Sequence, residues 1–114
     1  MTSPQSISPD GHFEVLTDAW EASNSHWVET PSIRDRISGE AIPSFTDPAW
    51  SLDEGLWCSG SIVRLTLRKY PGNHEPSSVM AIVDCAARTA ITGGGHTVPL
   101  HLIESALESE MTWR

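Results

Sequence analysis

The chain has little cysteine, a single lysine and no long apolar run. Cys58 and Cys85 are its only cysteines. Two thiols make no disulfide framework, and their spacing is not the CxxC of a redox or zinc motif. Two free thiols in a cytoplasmic protein are the expected state. Lys69 stands alone beside six arginines, so lysine-dependent chemistry has one candidate. No run of 18 apolar residues occurs, which excludes a membrane-spanning helix. The first nine residues, MTSPQSISP, lack the basic and apolar regions of a secretory signal. Their Ser/Pro/Thr composition reads as a mobile tail over 1–9, with one compact domain over 10–114.

Catalytic signatures are missing too. There is no GxSxG elbow, no phosphate-binding GxxxxGK[ST] and no GxGxxG. Asp53-Glu54 is the one pair of adjacent carboxylates, and adjacent residues on a helix do not face each other. Neither cysteine has a neighbour that would activate a thiol. No cofactor is expected, and an enzyme is the less favoured reading.

What the chain does have is acid. It carries 15 acidic residues against 7 basic ones, a net charge of -8. Residues 1–63 hold ten acids and two bases, whereas 64–90 are net basic by two. An acidic surface repels phosphate, so direct nucleic-acid binding is not expected. Such a surface suits a basic protein partner and also keeps a protein in solution.

Hydrophobic spacing and punctuation together suggest a helix-dominated α+β domain. Phe13, Leu16 and Trp20 fall at i, i+3, i+7, which reads as a helix over about 10–24, capped by Ser8 or Asp10. Thr30-Pro31 with Gly39, and Asp47-Pro48 with Gly55, each look like an N-cap, a first-turn proline and a closing glycine. These frame short helices at 31–38 and 48–54. Val63, Leu65 and Leu67 alternate with polar residues, so one β-hairpin is expected at about 55–69, turning at Ser59-Gly60. Residues 78–91 admit a helix or a strand, and their length favours the helix. Leu100, Ile103, Leu107 and Met111 form an apolar stripe for a C-terminal helix at about 98–111, capped by Thr97.

Three sets of residues are candidates for function. The first is an acidic face, Glu14, Asp18, Glu21 and nearby Glu29, with Trp27 and Trp50 as aromatic anchors. Tryptophan is enriched among interface hot spots, and five of them in this chain exceed what a small core requires. The second is the Gly93-Gly94-Gly95 turn, whose N–H groups suit an anion if a helix follows. The third is His96, His101 and Glu104, metal-capable side chains near that turn, though they match no zinc signature. The expected function is a non-enzymatic acidic protein-binding module of inhibitor, immunity or adaptor type. The alternatives are a small ligand- or metal-binding enzyme domain around Gly93–Gly95 and His96/His101, or a structural subunit of a larger assembly.

Overall fold

The computed structural model describes residues 2–113. In chain order its strands are β1 (Thr2–Ile7), β2 (Phe13–Glu21), β3 (Trp27–Asp35), β4 (Ala41–Ile42), β5 (Trp50–Ser59), β6 (Ile62–Lys69), β7 (His74–Glu75), β8 (Val79–Asp84), β9 (Thr89–Thr92), β10 (Thr97–Pro99) and β11 (Thr112–Trp113). The one α-helix among the described residues, α1 (Ile103–Glu108), follows a 3-10 turn at Leu100–Leu102. The protein is therefore mostly β and not helix-dominated. All the pairings are antiparallel, in sheets ordered β1-β2-β3-β4, β10-β9-β8-β6-β5 and β11-β7.

The core lies between the two larger sheets. Phe13, Val15 and Ile33 come from one sheet, and Leu52, Val63, Leu65, Leu67, Ala81 and Val83 from the other. Leu100, Ile103 and Leu107 of the C-terminal segment join the same cluster. Two hydrogen bonds tie the sheets at their margins. Trp57 Nε1–H donates to Ser6 Oγ at 2.9 Å, and the Glu29 N–H donates to Ser51 Oγ at 3.1 Å.

Each misread helix has a local reason. Residues 13–21 form a strand with Phe13, Val15 and Thr17 buried on one face and Leu16 on the other. Leu16 interrupts the period-two alternation, and Phe13, Leu16 and Trp20 then fall by accident at a helical spacing. Ser8 and Asp10 build the β1–β2 turn and cap no helix: Ser8 Oγ donates to the Asp10 carboxylate and accepts the Phe13 N–H.

Pro31 lies inside β3, opposite Thr17. The Glu29 N–H points away from β2 toward Ser51, so the Pro31 nitrogen, two residues on, points the same way and breaks no β2–β3 bond. Gly39 does need its positive φ of 77°, but in the β3–β4 turn and not at a helix end. There the Asp35 carboxylate accepts the Ile37 and Ser38 N–H groups. Asp47 likewise makes a turn, accepting the Ala49 N–H at 2.9 Å, and β5 begins at Trp50.

The β5–β6 hairpin spans residues 50–69, longer than the expected 55–69. Residues 79–92 are the β8–β9 hairpin. Its turn is held by Asp84 Oδ1 accepting the Ala87 N–H, and Arg88 takes a φ of 57°. The alternation in β8 is regular, with Val79, Ala81 and Val83 buried and Met80 and Ile82 exposed. It is hidden in the sequence because both faces are apolar. The C-terminal stripe of Leu100, Ile103, Leu107 and Met111 is buried throughout. The helix is shorter than 98–111 because Thr97–Pro99 pair with Thr89–Ile91 as strand β10. Thr97 is therefore a ladder residue and not a cap.

Candidate partner-binding cleft

The β2–β3 hairpin carries the most exposed aromatic side chain. Its register sets Glu21 opposite Trp27 and Ala19 opposite Glu29. Alternation then places Glu21, Trp27 and Glu29 on one face of the hairpin end. Trp27 is 62% exposed. On the opposite face Trp20 anchors the hairpin: its Nε1–H is shared between Thr30 Oγ1 at 3.1 Å and the Pro48 carbonyl at 3.0 Å. The Thr30 hydroxyl also donates to that carbonyl at 2.7 Å. One tryptophan thus ties the hairpin down, and the other stands free.

Trp27 borders a cleft of about 230 Å³, lined by His26, Trp27, Val28, Ser51, Arg68, Lys69, Tyr70, Pro71 and Gly72. Tyr70 is its aromatic pivot. Trp20 meets that ring edge-on at 6.1 Å and His26 does so at 6.3 Å. The two cations in the lining have internal partners. Arg68 Nε is 3.1 Å from Asp53 Oδ1. Lys69 Nζ is 3.1 Å from Asp47 Oδ2, contacts the Glu108 carboxylate and lies 5.5 Å above the Trp50 ring. Burial works against the Lys69 charge, but Glu108 and Asp47 outweigh it and raise the pKa. Asp47 is held below the usual carboxylate range chiefly by the Ala49 N–H, against burial, with Lys69 adding to the lowering.

The sequence-derived candidates separate. Glu21, Trp27 and Glu29 come together. Glu14 and Asp18 lie on the other face of β2, and Glu14 is paired with Arg34 at 3.1 Å. Trp50 is fully buried against Phe45 and so is no surface anchor. The helical spacing that grouped Glu14, Asp18 and Glu21 does not survive in a strand, where Glu21 has the opposite parity. His26, Ser51, Arg68 and Tyr70 were not marked by the sequence. Tyr70-Pro71-Gly72 reads there only as a strand breaker, and nothing local shows that it closes against the β2–β3 turn.

Most of the acids already serve the fold. Asp53, Glu54, Asp47 and Glu108 face basic side chains, as does Glu14. Glu104 accepts the N–H and hydroxyl of Thr46 and the Asp47 N–H, which docks the 43–48 loop on α1. Glu110 accepts the Thr92 hydroxyl and the Gly94 N–H. The glycine turn therefore already holds an anion, the protein's own carboxylate, and strand β10 follows it instead of a helix. A Cβ on Gly94 would sit 2.9 Å from Glu110 Oε2. No group of three metal-capable side chains occurs among the described residues, and Glu104 is spent on the loop and not grouped with His96 and His101. By contrast, Glu21 and Glu29 make no ion pair among the described residues.

No protein-family model, curated protein or solved structure matches the chain. Among the described residues no helix is long and apolar enough to cross a membrane.

Proposed function

We propose that this chain is a non-enzymatic protein-binding module, with Trp27 as its anchor and a partner of basic surface. The reading rests on one observation: the most exposed tryptophan shares a strand face with two carboxylates that make no ion pair among the described residues, on a hairpin fixed to the body by Trp20. An aromatic side chain on a fixed strand loses little conformational freedom when it enters a pocket. Glu21 and Glu29 would steer a basic partner and set its orientation, while Trp27 would slow its departure. Inhibitor, immunity and adaptor roles all use this design. Two free cysteines fit a reducing, cytoplasmic setting.

The test is affinity capture from native host lysate with the parent chain, Trp27→Ala and Glu21→Gln/Glu29→Gln, each washed at low and high salt. One stoichiometric partner should bind the parent. Trp27→Ala should lose it, by ~30-fold or more in affinity for a central anchor, with unfolding unchanged. The double glutamine variant should weaken binding and flatten its salt dependence. A partner held equally well by Trp27→Ala would overturn the assignment.

A further inference from the structure

The outer face of the five-stranded sheet carries a second surface, which meets the Trp27 cleft only at Arg68. The pairing Leu56↔Arg64↔Ile82↔Ile91 runs as one row across β5, β6, β8 and β9. The next row is Glu54↔Thr66↔Met80. Leu56, Met80, Ile82 and Ile91 are each 40–45% exposed; Met80, Ile82 and Ile91 adjoin on β8 and β9, and Leu56 lies across Arg64 on β5. An apolar patch spread over adjacent strands marks a protein interface more often than chance exposure does.

The charges on this face indicate what covers it. They occur as opposite pairs, Glu54 with Arg64 at 3.9 Å and Asp53 with Arg68 at 3.1 Å. Asp84, at the margin, is occupied by the β8–β9 turn. With three carboxylates against two guanidiniums, the face is close to neutral on a chain of net charge -8. A strongly basic partner would find little to attract it here, and a second acidic copy finds little to repel it. The Glu54–Arg64 pair is loose, and both side chains are about half exposed. A two-fold axis between them would exchange partners, setting Arg64 of each copy on Glu54 of the other beside the apolar side chains of β8 and β9. An isologous interface requires that self-complementarity.

We infer that this chain self-associates through the outer face of its five-stranded sheet, copy against copy, independently of the partner surface at Trp27. Five strands ~4.8 Å apart and about six residues long give a footprint of ~400 Å². That is about half of the ~800 Å² per partner of a standard interface, so the dimer should be weak.

Sedimentation equilibrium from ~1 µM to ~1 mM tests this. The parent should form a reversible dimer, and Ile82→Glu should raise its Kd at least tenfold. Ile91→Glu serves as the second apolar variant if Ile82→Glu fails to fold by circular dichroism. Arg64→Glu and Glu54→Arg should each weaken the dimer, and the double exchange should restore it to within ~3-fold. Trp27→Ala should leave it unchanged, which separates this surface from the proposed partner site. A parent chain that stays monomeric throughout the range would overturn the inference. So would a double exchange that restores nothing. A monomeric parent that loses a captured partner on Ile82→Glu would assign the face to a different protein and likewise overturn self-association.

Discussion

Trp50 offers the sharpest test of the packing, because its side chain adds to stability and subtracts from it. It is completely buried, meets Phe45 edge-on at 5.9 Å and lies under the Lys69 ammonium. Its Nε1–H is also buried, with no acceptor. Trp50→Ala removes the whole ring and should cost about 3–5 kcal/mol, the usual range for a buried aromatic. That is a large share of the ~5–15 kcal/mol available to a domain. Trp50→Phe keeps an aromatic ring in the slot. It leaves a small void and weakens a cation–π contact worth ~0.5–2 kcal/mol. It also removes an unpaired buried N–H, whose desolvation costs ~1–3 kcal/mol. These effects oppose each other at similar size, so Trp50→Phe should fall within about 1.5 kcal/mol of the parent. At roughly 4 °C per kcal/mol for a domain of this length, the melting temperature should move by no more than about 6 °C. Urea unfolding followed by far-ultraviolet circular dichroism is the suitable assay, since a changed tryptophan alters fluorescence. A midpoint shift at constant m-value reports stability alone. If phenylalanine proves as costly as alanine, the indole N–H has an acceptor and the reasoning is refuted.

Two further predictions concern titration and thiols. Asp10, Asp35 and Asp47 are held below the ordinary aspartate range, chiefly by the Ser8 hydroxyl, the Ser38 N–H and the Ala49 N–H respectively. A lowered carboxyl stabilises the fold above its unfolded pKa of ~3.9, and that stability is lost as pH falls through the folded value. The urea midpoint should thus drop below about pH 4, less steeply in Asp47→Asn; a midpoint level from pH 6 to pH 2 would count against it. The raised Lys69 works at the other end, its stabilisation lasting up to ~10.4 and fading only above that. Burial, followed by the Asp84 and Asp10 charges, pushes the Cys85 thiol up to about 12, whereas Cys58 is exposed. A thiol reagent at pH 8 should modify one cysteine in the native protein and two in urea; two fast reactions in the native state would show that Cys85 is accessible.

Several features were legible because they are written in short-range pattern. The alternation of Val63, Leu65 and Leu67 against arginine and threonine reports a strand with one wet face, and that strand is β6. The stripe of Leu100, Ile103, Leu107 and Met111 reports a segment with one dry face, and all four residues are buried. Tryptophan's preference for partner surfaces marked Trp27 and Trp50 alike, and only Trp27 is exposed. The acidic cluster was legible only in part. Glu14, Asp18 and Glu21 were grouped by a helical period, whereas the strand retains only Glu21 beside Trp27 and Glu29.

Punctuation misled where one residue serves two geometries. Pro31 fits the first turn of a helix, and it equally fits a strand whose ladder side does not need its nitrogen. Asp47 caps a helix or builds an Asx turn with the same carboxylate. Only the paired strand decides between them: β2 for Pro31, and β6 for the strand that follows Asp47. The cleft was illegible for the same reason. Tyr70, His26 and Ser51 come from three separate segments and meet only after the sheets pack.

By itself, then, the amino-acid sequence determined the strand around Val63, Leu65 and Leu67, its turn at Ser59-Gly60, the dry stripe of Leu100, Ile103, Leu107 and Met111, and how acidic the chain is. These depend on composition and on neighbours within a few residues. Tertiary structure decided between helix and strand for residues 13–21, 31–35 and 79–92, because a strand's backbone hydrogen bonds close on another strand and not within its own turn. It also decided which carboxylates are spent on the fold and which remain to meet a partner. That depends on where Arg34, Arg68 and Lys69 come to lie, and no local spacing encodes it.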